Sequence, residues 1–232
     1  MSERKKGGRD GRALRWEGQR ERRRAEFVAA AIEAIEEHGP DVLTEQIAAR
    51  AGVPRPRLYR HFDDKLDLRH AVCRRIVDLL AAELSQVWAV ERTPLDLISS
   101  AVETAVRWLT THDKLYRYVS RQAAEDPAHP PAMTGFKDAF AANLNEVFGN
   151  FLRSADLPAR DIAPFTAGLI AFSEAAINRW LRDPGEITAD RFTADLTKWL
   201  WTLIDGTLRE QGIRLDPDQP LALALDLGRV NS

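Results

Sequence analysis

The chain has 232 residues, 44% apolar and 29% charged, with formal net charge −2, one cysteine, 12 prolines and 13 glycines. That length allows one large or two small domains with a real core, and a lone cysteine excludes an intramolecular disulfide. The basic start MSERKKGGRDGR has no apolar stretch behind it, and the longest nearly apolar run, 163–172, is too short for a bilayer, so no secretory signal or membrane span is expected and the setting is a reducing cytoplasm.

The small net charge hides an uneven layout. Residues 1–24 carry 10 Lys and Arg against 4 Asp and Glu, whereas residues 71–232 carry 17 against 22. Bulk charge therefore predicts no polyanionic partner, while local charge permits one at the N-terminal end. Frequent Ala and Leu, few glycines and scattered β-branched residues favour helix throughout. The fold class expected is all-α, with about nine helices.

Residues 1–17 are polar, contain glycine and lack a period, and read as a disordered basic arm. From about Gln19 the spacing of Phe27, Ala30, Ala31, Ala34 and Ile35 is that of an amphipathic helix, stopped by His38-Gly39-Pro40. A short helix over 44–51 follows, with Thr44 placed to cap it and Ile47 and Ala48 inward. After Gly52-Val53-Pro54 comes a second short helix over 55–62. Asp63 or Asp64 then caps a long helix toward Trp88 that carries Leu68, Val72, Ile76, Leu79 and Leu80 inward.

Helices are expected next over 94–111 and 113–124. The three prolines within 125–131 make that stretch a loop. Further helices are expected over 134–154, 159–182 and 188–211, separated by Asp156-Leu157-Pro158 and Asp183-Pro184-Gly185. The tail beyond Gly212 has an apolar end, 221–227, expected to dock on the body of its own subunit or of a partner. There is no internal repeat.

The informative block is LTEQIAARAGVPRPRLYRHF, residues 43–62. Two helices of about two turns joined by a tight Gly-containing turn make a helix-turn-helix, whose second helix enters a DNA major groove. Small Ala48 permits close crossing, Gly52 supplies an unusual backbone angle, and Val53 with Leu58 supplies a small core. The second helix then offers Arg55, Arg57, Arg60 and His61 with Tyr59 among them, donors and an aromatic suited to phosphates and guanine edges.

Thr44, Ile47-Ala48, Ala51-Gly52-Val53, Leu58-Tyr59, His61-Phe62, Lys65 and Leu68 resemble, in order and spacing, the DNA-binding domain of the TetR family of bacterial transcriptional regulators, over about residues 20–72. The departure is Pro54-Arg55-Pro56, where that motif commonly has Ser or Thr after Gly-Val. Proline is tolerated in a first helical turn, but a hydroxyl contact to phosphate is lost and the operator sequence does not transfer.

The resemblance implies that Thr44 touches a phosphate, that Arg55, Arg57, Tyr59 and Arg60 face bases and backbone, and that His61 and Lys65 grip phosphates. Arg20, Arg22, Arg23 and Arg24 would meet the DNA backbone or an adjacent minor groove. It implies three regions: the arm 1–17, a helix-turn-helix domain 18–72, and a helical effector-binding and dimerisation domain 73–232. The last two long helices would pair with a second subunit through Phe165, Leu169, Phe172, Ile177, Trp180, Phe192, Leu196, Trp199 and Leu203. The expected partners are thus operator DNA, approximately palindromic, and a second copy of the chain.

A ligand pocket would draw on Trp108, Tyr118, Phe136, Phe140, Asn143, Leu144, Phe172 and Asn178, and would suit a largely apolar or aromatic effector such as a lipid-like acyl compound or a drug. The same aromatics also serve as plain core. The resemblance implies a repressor released by its ligand, with an activator, or a regulator without an effector, as the alternative, since the sequence itself does not separate repressor from activator. An all-α enzyme is least favoured: no HExxH, paired Cys or Gly-rich phosphate loop is present, no metal or cofactor is expected, and Cys73 and His70 share a helix face without other ligands.

Overall fold

A run of Arg, Glu, Ala and Gln uninterrupted by proline sustains a helix far beyond its buried stripe, and α1 accordingly spans Gly7–His38. The structure, a computed structural model, describes residues 7–87, 92–125, 131–154, 162–210 and 212–220, with side chains from residue 18 onward except 123–124, 131–136, 147–148, 150–152 and 154. The helix thus begins a dozen residues before the expected start near Gln19. Residues 1–6 of the expected arm, the loop at 126–130, the connection at 156–158 and the apolar tail 221–227 lie outside the described residues, as does the side chain of Phe136.

Among the described residues there are nine helices and no strand. After α1 come α2 (Thr44–Arg50), α3 (Arg55–Leu58), α4 (Lys65–Ser85), α5 (Pro94–Thr111), α6 (Asp113–Glu125), α7 (Pro131–Ser154), α8 (Ile162–Arg182) and α9 (Ala189–Glu210). The long helices fall within a few residues of the expected bounds because strong breakers flank them. Pro131 opens α7 rather than closing a loop, since proline needs no N–H partner in a first turn.

The chain forms two units. One comprises Met1–Val77 and His112–Ala132, the other Asp78–Thr111 and Met133–Ser232. The sequence alone places a single boundary near residue 72, whereas α6 belongs to the first unit. It is tied to the end of α1: Lys114 Nζ donates to the Glu36 carbonyl at 2.6 Å, His112 Nδ1 lies 2.7 Å from Glu36 Oε1, and Arg121 pairs with Asp41. The ammonium of Lys114 thereby satisfies a carbonyl that has no partner within the last turn of α1.

In the first unit Phe27, Ala31, Ala34 and Ile35 of α1 are buried together with Ile47, Ala48, Leu58, Phe62, Leu68 and Val72. Gly39, at φ +89°, ends α1 in a left-handed cap with its N–H on the Ile35 carbonyl at 2.7 Å. In the second unit α9 packs against α5 and α8. Trp180 of α8 stacks on Phe192 of α9 at 4.7 Å with 7° between the rings, and the Trp180 indole donates to the Ile187 carbonyl at 2.9 Å. Thr166, fully buried on α8, donates to Asn145 of α7 at 2.6 Å.

Candidate nucleic-acid interface

The motif is built from α2, a four-residue turn and α3. Gly52, at φ +65°, takes the left-handed angle expected of it, and the Val53 N–H reaches the Ala48 carbonyl at 3.0 Å, so the chain reverses immediately after α2. Val53 is half-buried, and Ala48 and Leu58 are buried. The expected small core is therefore present. Two details differ. Thr44 does not cap α2: it is the first helical residue and is buried, while Leu43 is the cap position and its N–H is taken by Gln46 Oε1 at 2.7 Å. The longer Gln46 side chain reaches back over the first turn, as in a capping box. And α3 is one turn, not two, because Tyr59 to Asp64 continue as turns and bends before α4.

That single turn displays its basic side chains outward. Arg57 and Arg60 are exposed and have no ion-pair partner among the described residues, and Tyr59 is half-buried. Arg55 is also exposed, but Glu45 holds it at 2.7 Å and its guanidinium lies 5.6 Å from the centre of the Tyr59 ring. This pair fixes the aromatic edge of the surface. Lys65, first residue of α4, is exposed, and Asp64 Oδ1 accepts the Asp67 N–H at 2.7 Å, so of the two candidate caps Asp64 closes the start of that helix. Arg20, Arg22 and Arg23 are exposed on α1, Arg23 being paired with Glu26 at 2.7 Å.

Two expected DNA contacts are engaged elsewhere. Arg24 points into the unit: its guanidinium binds both oxygens of Asp67 at 2.5 and 2.7 Å, donates to the His61 carbonyl at 2.8 Å, and covers the Phe62 ring at 4.4 Å. His61 is packed against Phe27 at 5.2 Å, and its Nδ1 is buried without a hydrogen-bond partner. Burial, with help from Arg20, Arg23 and Arg57, pushes its pKa below the ordinary 6.5. The shift favours the uncharged imidazole over the cation that a phosphate would attract. Sequence spacing could not reveal this, because the groups that bury it lie on α1.

The first unit also holds a cavity of about 220 Å³. It lies behind α2 and α4, with Thr44, Lys65, Arg69, Tyr118 and Arg121 in its wall. Tyr118 is thereby separated in unit from Trp108, Phe140, Asn143, Leu144, Phe172 and Asn178, which belong to the second. Asn143 and Phe172 are exposed, whereas Trp108 is buried. Of the expected dimer residues, Leu169, Ile177, Trp180, Phe192 and Leu196 are buried within the chain itself, and Phe165 is half-buried. Phe172, Trp199 and Leu203 remain 39%, 45% and 43% exposed. Phe172 and Trp199 touch edge to face at 6.3 Å, forming an apolar patch across α8 and α9.

Residues 27–72 match the family model described as bacterial regulatory proteins, tetR family. Over these residues the chain is similar to TetR-family regulators. Over 204 residues it is 26% identical to an uncharacterised HTH-type transcriptional regulator of Mycobacterium tuberculosis, covering 88% of this chain and 86% of that protein. It is 28% identical over 183 residues to the HTH-type transcriptional activator FasR of Mycolicibacterium smegmatis, covering 78% and 83%. A TetR-family regulator from Streptomyces coelicolor has the same fold, with TM-score 0.63 at 18% identity over 91% of this chain and 90% of that one. The matched residues include the whole of the helix-turn-helix motif just described. No helix among the described residues is long and apolar enough to cross a membrane, and no cluster of three or more His, Cys, Asp or Glu among them is placed to hold a metal.

Proposed function

We propose that this TetR-family chain works in the cytoplasm as a homodimer reading an approximately palindromic operator, and that it represses transcription until a small, largely apolar ligand releases it. The observation that carries this reading is the one-turn α3, which shows Arg57 and Arg60 outward while Leu58 anchors it inward. Arg57, Arg60 and Tyr59 face bases and backbone, Lys65 grips phosphate, and Arg20, Arg22 and Arg23 meet the backbone nearby. The patch of Phe172, Trp199 and Leu203 supports pairing through α8 and α9, because such a face is unfavourable to leave in water. Two reading surfaces related by a two-fold axis imply half-sites one helical turn, or a multiple, apart.

The reading divides the chain into a DNA-binding unit and an effector and dimerisation unit. Phe140, Leu144, Trp108 and Asn178 of the latter are the residues proposed for the ligand. Release requires a ligand that binds the DNA-free state more tightly than the DNA-bound one. A second reading, activation, is favoured by one observation: the relative FasR is named an activator. The position of the operator relative to the promoter separates the two.

A duplex selected by the protein from a random-sequence library, followed by footprinting and transcription from a reporter, tests all of this. Two symmetric protected half-sites are expected, with binding that falls steeply as salt rises, because each neutralised phosphate releases counterions. A single inseparable half-site, or binding insensitive to salt, would overturn it.

A further inference from the structure

The reading turn cannot hold its own orientation. Four residues close hardly any helical hydrogen bonds, and an isolated turn of that length does not persist in water. Something outside α3 must fix where Arg57 and Arg60 point. On the side leading into α2, the buried contact of Leu58 with the motif core does so. On the other side, the turn is prolonged only by the N–H groups of Tyr59, Arg60 and His61, on the Arg55, Arg57 and Leu58 carbonyls at 3.4, 3.3 and 3.1 Å, before bends at 62–64, and one guanidinium crosses to the His61 carbonyl from α1.

We propose that Arg24 and Asp67 are a positioning pair that sets the angle of the base-reading surface, and that Arg24 touches no phosphate. The inference rests on the reading of α3 as the base-reading element. Arg24 uses both arms of its fork on Asp67 and spends a further N–H on the His61 carbonyl, while its flat face lies over the buried Phe62 ring. Asp67 in turn accepts the Asp63 N–H at 3.0 Å and is itself held by its own N–H on Asp64. The middle of α1, the loop bearing His61 and the first turn of α4 are thus closed around one ion pair. Both side chains are largely covered, at 24% and 28% exposure, so the bidentate geometry is shielded from solvent competition.

Position and phosphate contact predict opposite outcomes for one conservative change. Asp67→Asn keeps the side chain's shape, removes a negative charge near DNA and frees the Arg24 fork. If Arg24 met a phosphate, this variant would bind DNA more tightly; if the pair positions α3, it binds its site less well. Arg24→Lys retains the charge but not the fork. We expect both variants, with folding verified by thermal melting, to lose about tenfold affinity for the duplex that the wild type selects, roughly the worth of one base contact. Affinity for poly(dI-dC) and the slope of log K against log salt should stay at wild-type values.

Tighter binding by Asp67→Asn, wild-type binding by Arg24→Lys, or a salt slope lowered by about 0.9 in Arg24→Ala would each overturn the proposal. A wild-type protein that selects no duplex would instead overturn the reading of α3 beneath it, a result distinct from a loss confined to the variants.

Discussion

Replacing Trp199 by Ala separates the exposed face proposed for a partner subunit from the face that α8 and α9 use on each other. An aromatic side chain has roughly 150–250 Å² of surface to bury. With Trp199 at 45% exposure, about 100 Å² of it still meets water in each chain, if its full surface lies near the top of that range. Covering that area in both protomers is worth about 5 kcal/mol at roughly 25 cal/mol per Å². Part of the gain is offset by ordering the rings, so truncation weakens the dimer by about 2–4 kcal/mol, or on the order of 30- to 1000-fold in dissociation constant.

Phe192→Ala is the contrast. Its ring lies against Trp180 inside the chain, so this change costs about 3–5 kcal/mol of folding stability and reaches the dimer only through the fold. Sedimentation across a concentration series measures the first effect and denaturant unfolding the second. A wild-type chain that stays monomeric at micromolar concentration, or a Trp199→Ala variant that dimerises like wild type, would refute the division.

Leu58→Ala, at a residue with no exposed surface, should lower the stability of the first unit by about 2.7–5 kcal/mol, read as an earlier denaturant midpoint. His61 gives a pH signature. Its folded pKa lies below the ordinary 6.5, so the unfolded chain binds the proton more readily and stability, full above about 6.5, declines as pH falls below it; His61→Gln should flatten that part of the melting-temperature profile. Burial pushes the Cys73 thiol up to about 12, so a thiol reagent at pH 8 should leave the native protein unlabelled and react only on unfolding, and prompt labelling would contradict the buried placement.

Helix order was readable from the chain because its signals are local. Gly39-Pro40 and Pro184-Gly185 stop helices wherever they occur, and Thr188, whose hydroxyl accepts the Arg191 N–H, sits one residue before α9. The motif was readable for the same reason: Gly52 needs its angle whatever surrounds it. What escaped is what depends on distant partners. The role of Arg24 is decided by Asp67, 43 positions away, and that of His61 by Phe27 and neighbouring arginines. Thr44 looked like a cap because of its type, but the helix starts one residue earlier, with the Gln46 and Ile47 N–H groups on the Leu43 carbonyl. Likewise the stripe on α9 contains both Leu196, sealed inside, and Leu203, left at the surface, and periodicity alone does not distinguish them.

The inclusion of α6 in the first unit has a bearing on synthesis and engineering. The unit is made of two stretches of chain with the whole of α5 between them. As the polypeptide emerges, α1 to α4 are all present before the helix that binds the end of α1, so the first unit gains its last element only when Lys114 and Arg121 arrive. A fragment cut after Val77 would lack that element, with the α1 carbonyls at Glu36 and Glu37 losing the Lys114 ammonium. Any chimera that transplants this reading surface onto another scaffold must carry residues 112–125 along with residues 1–77.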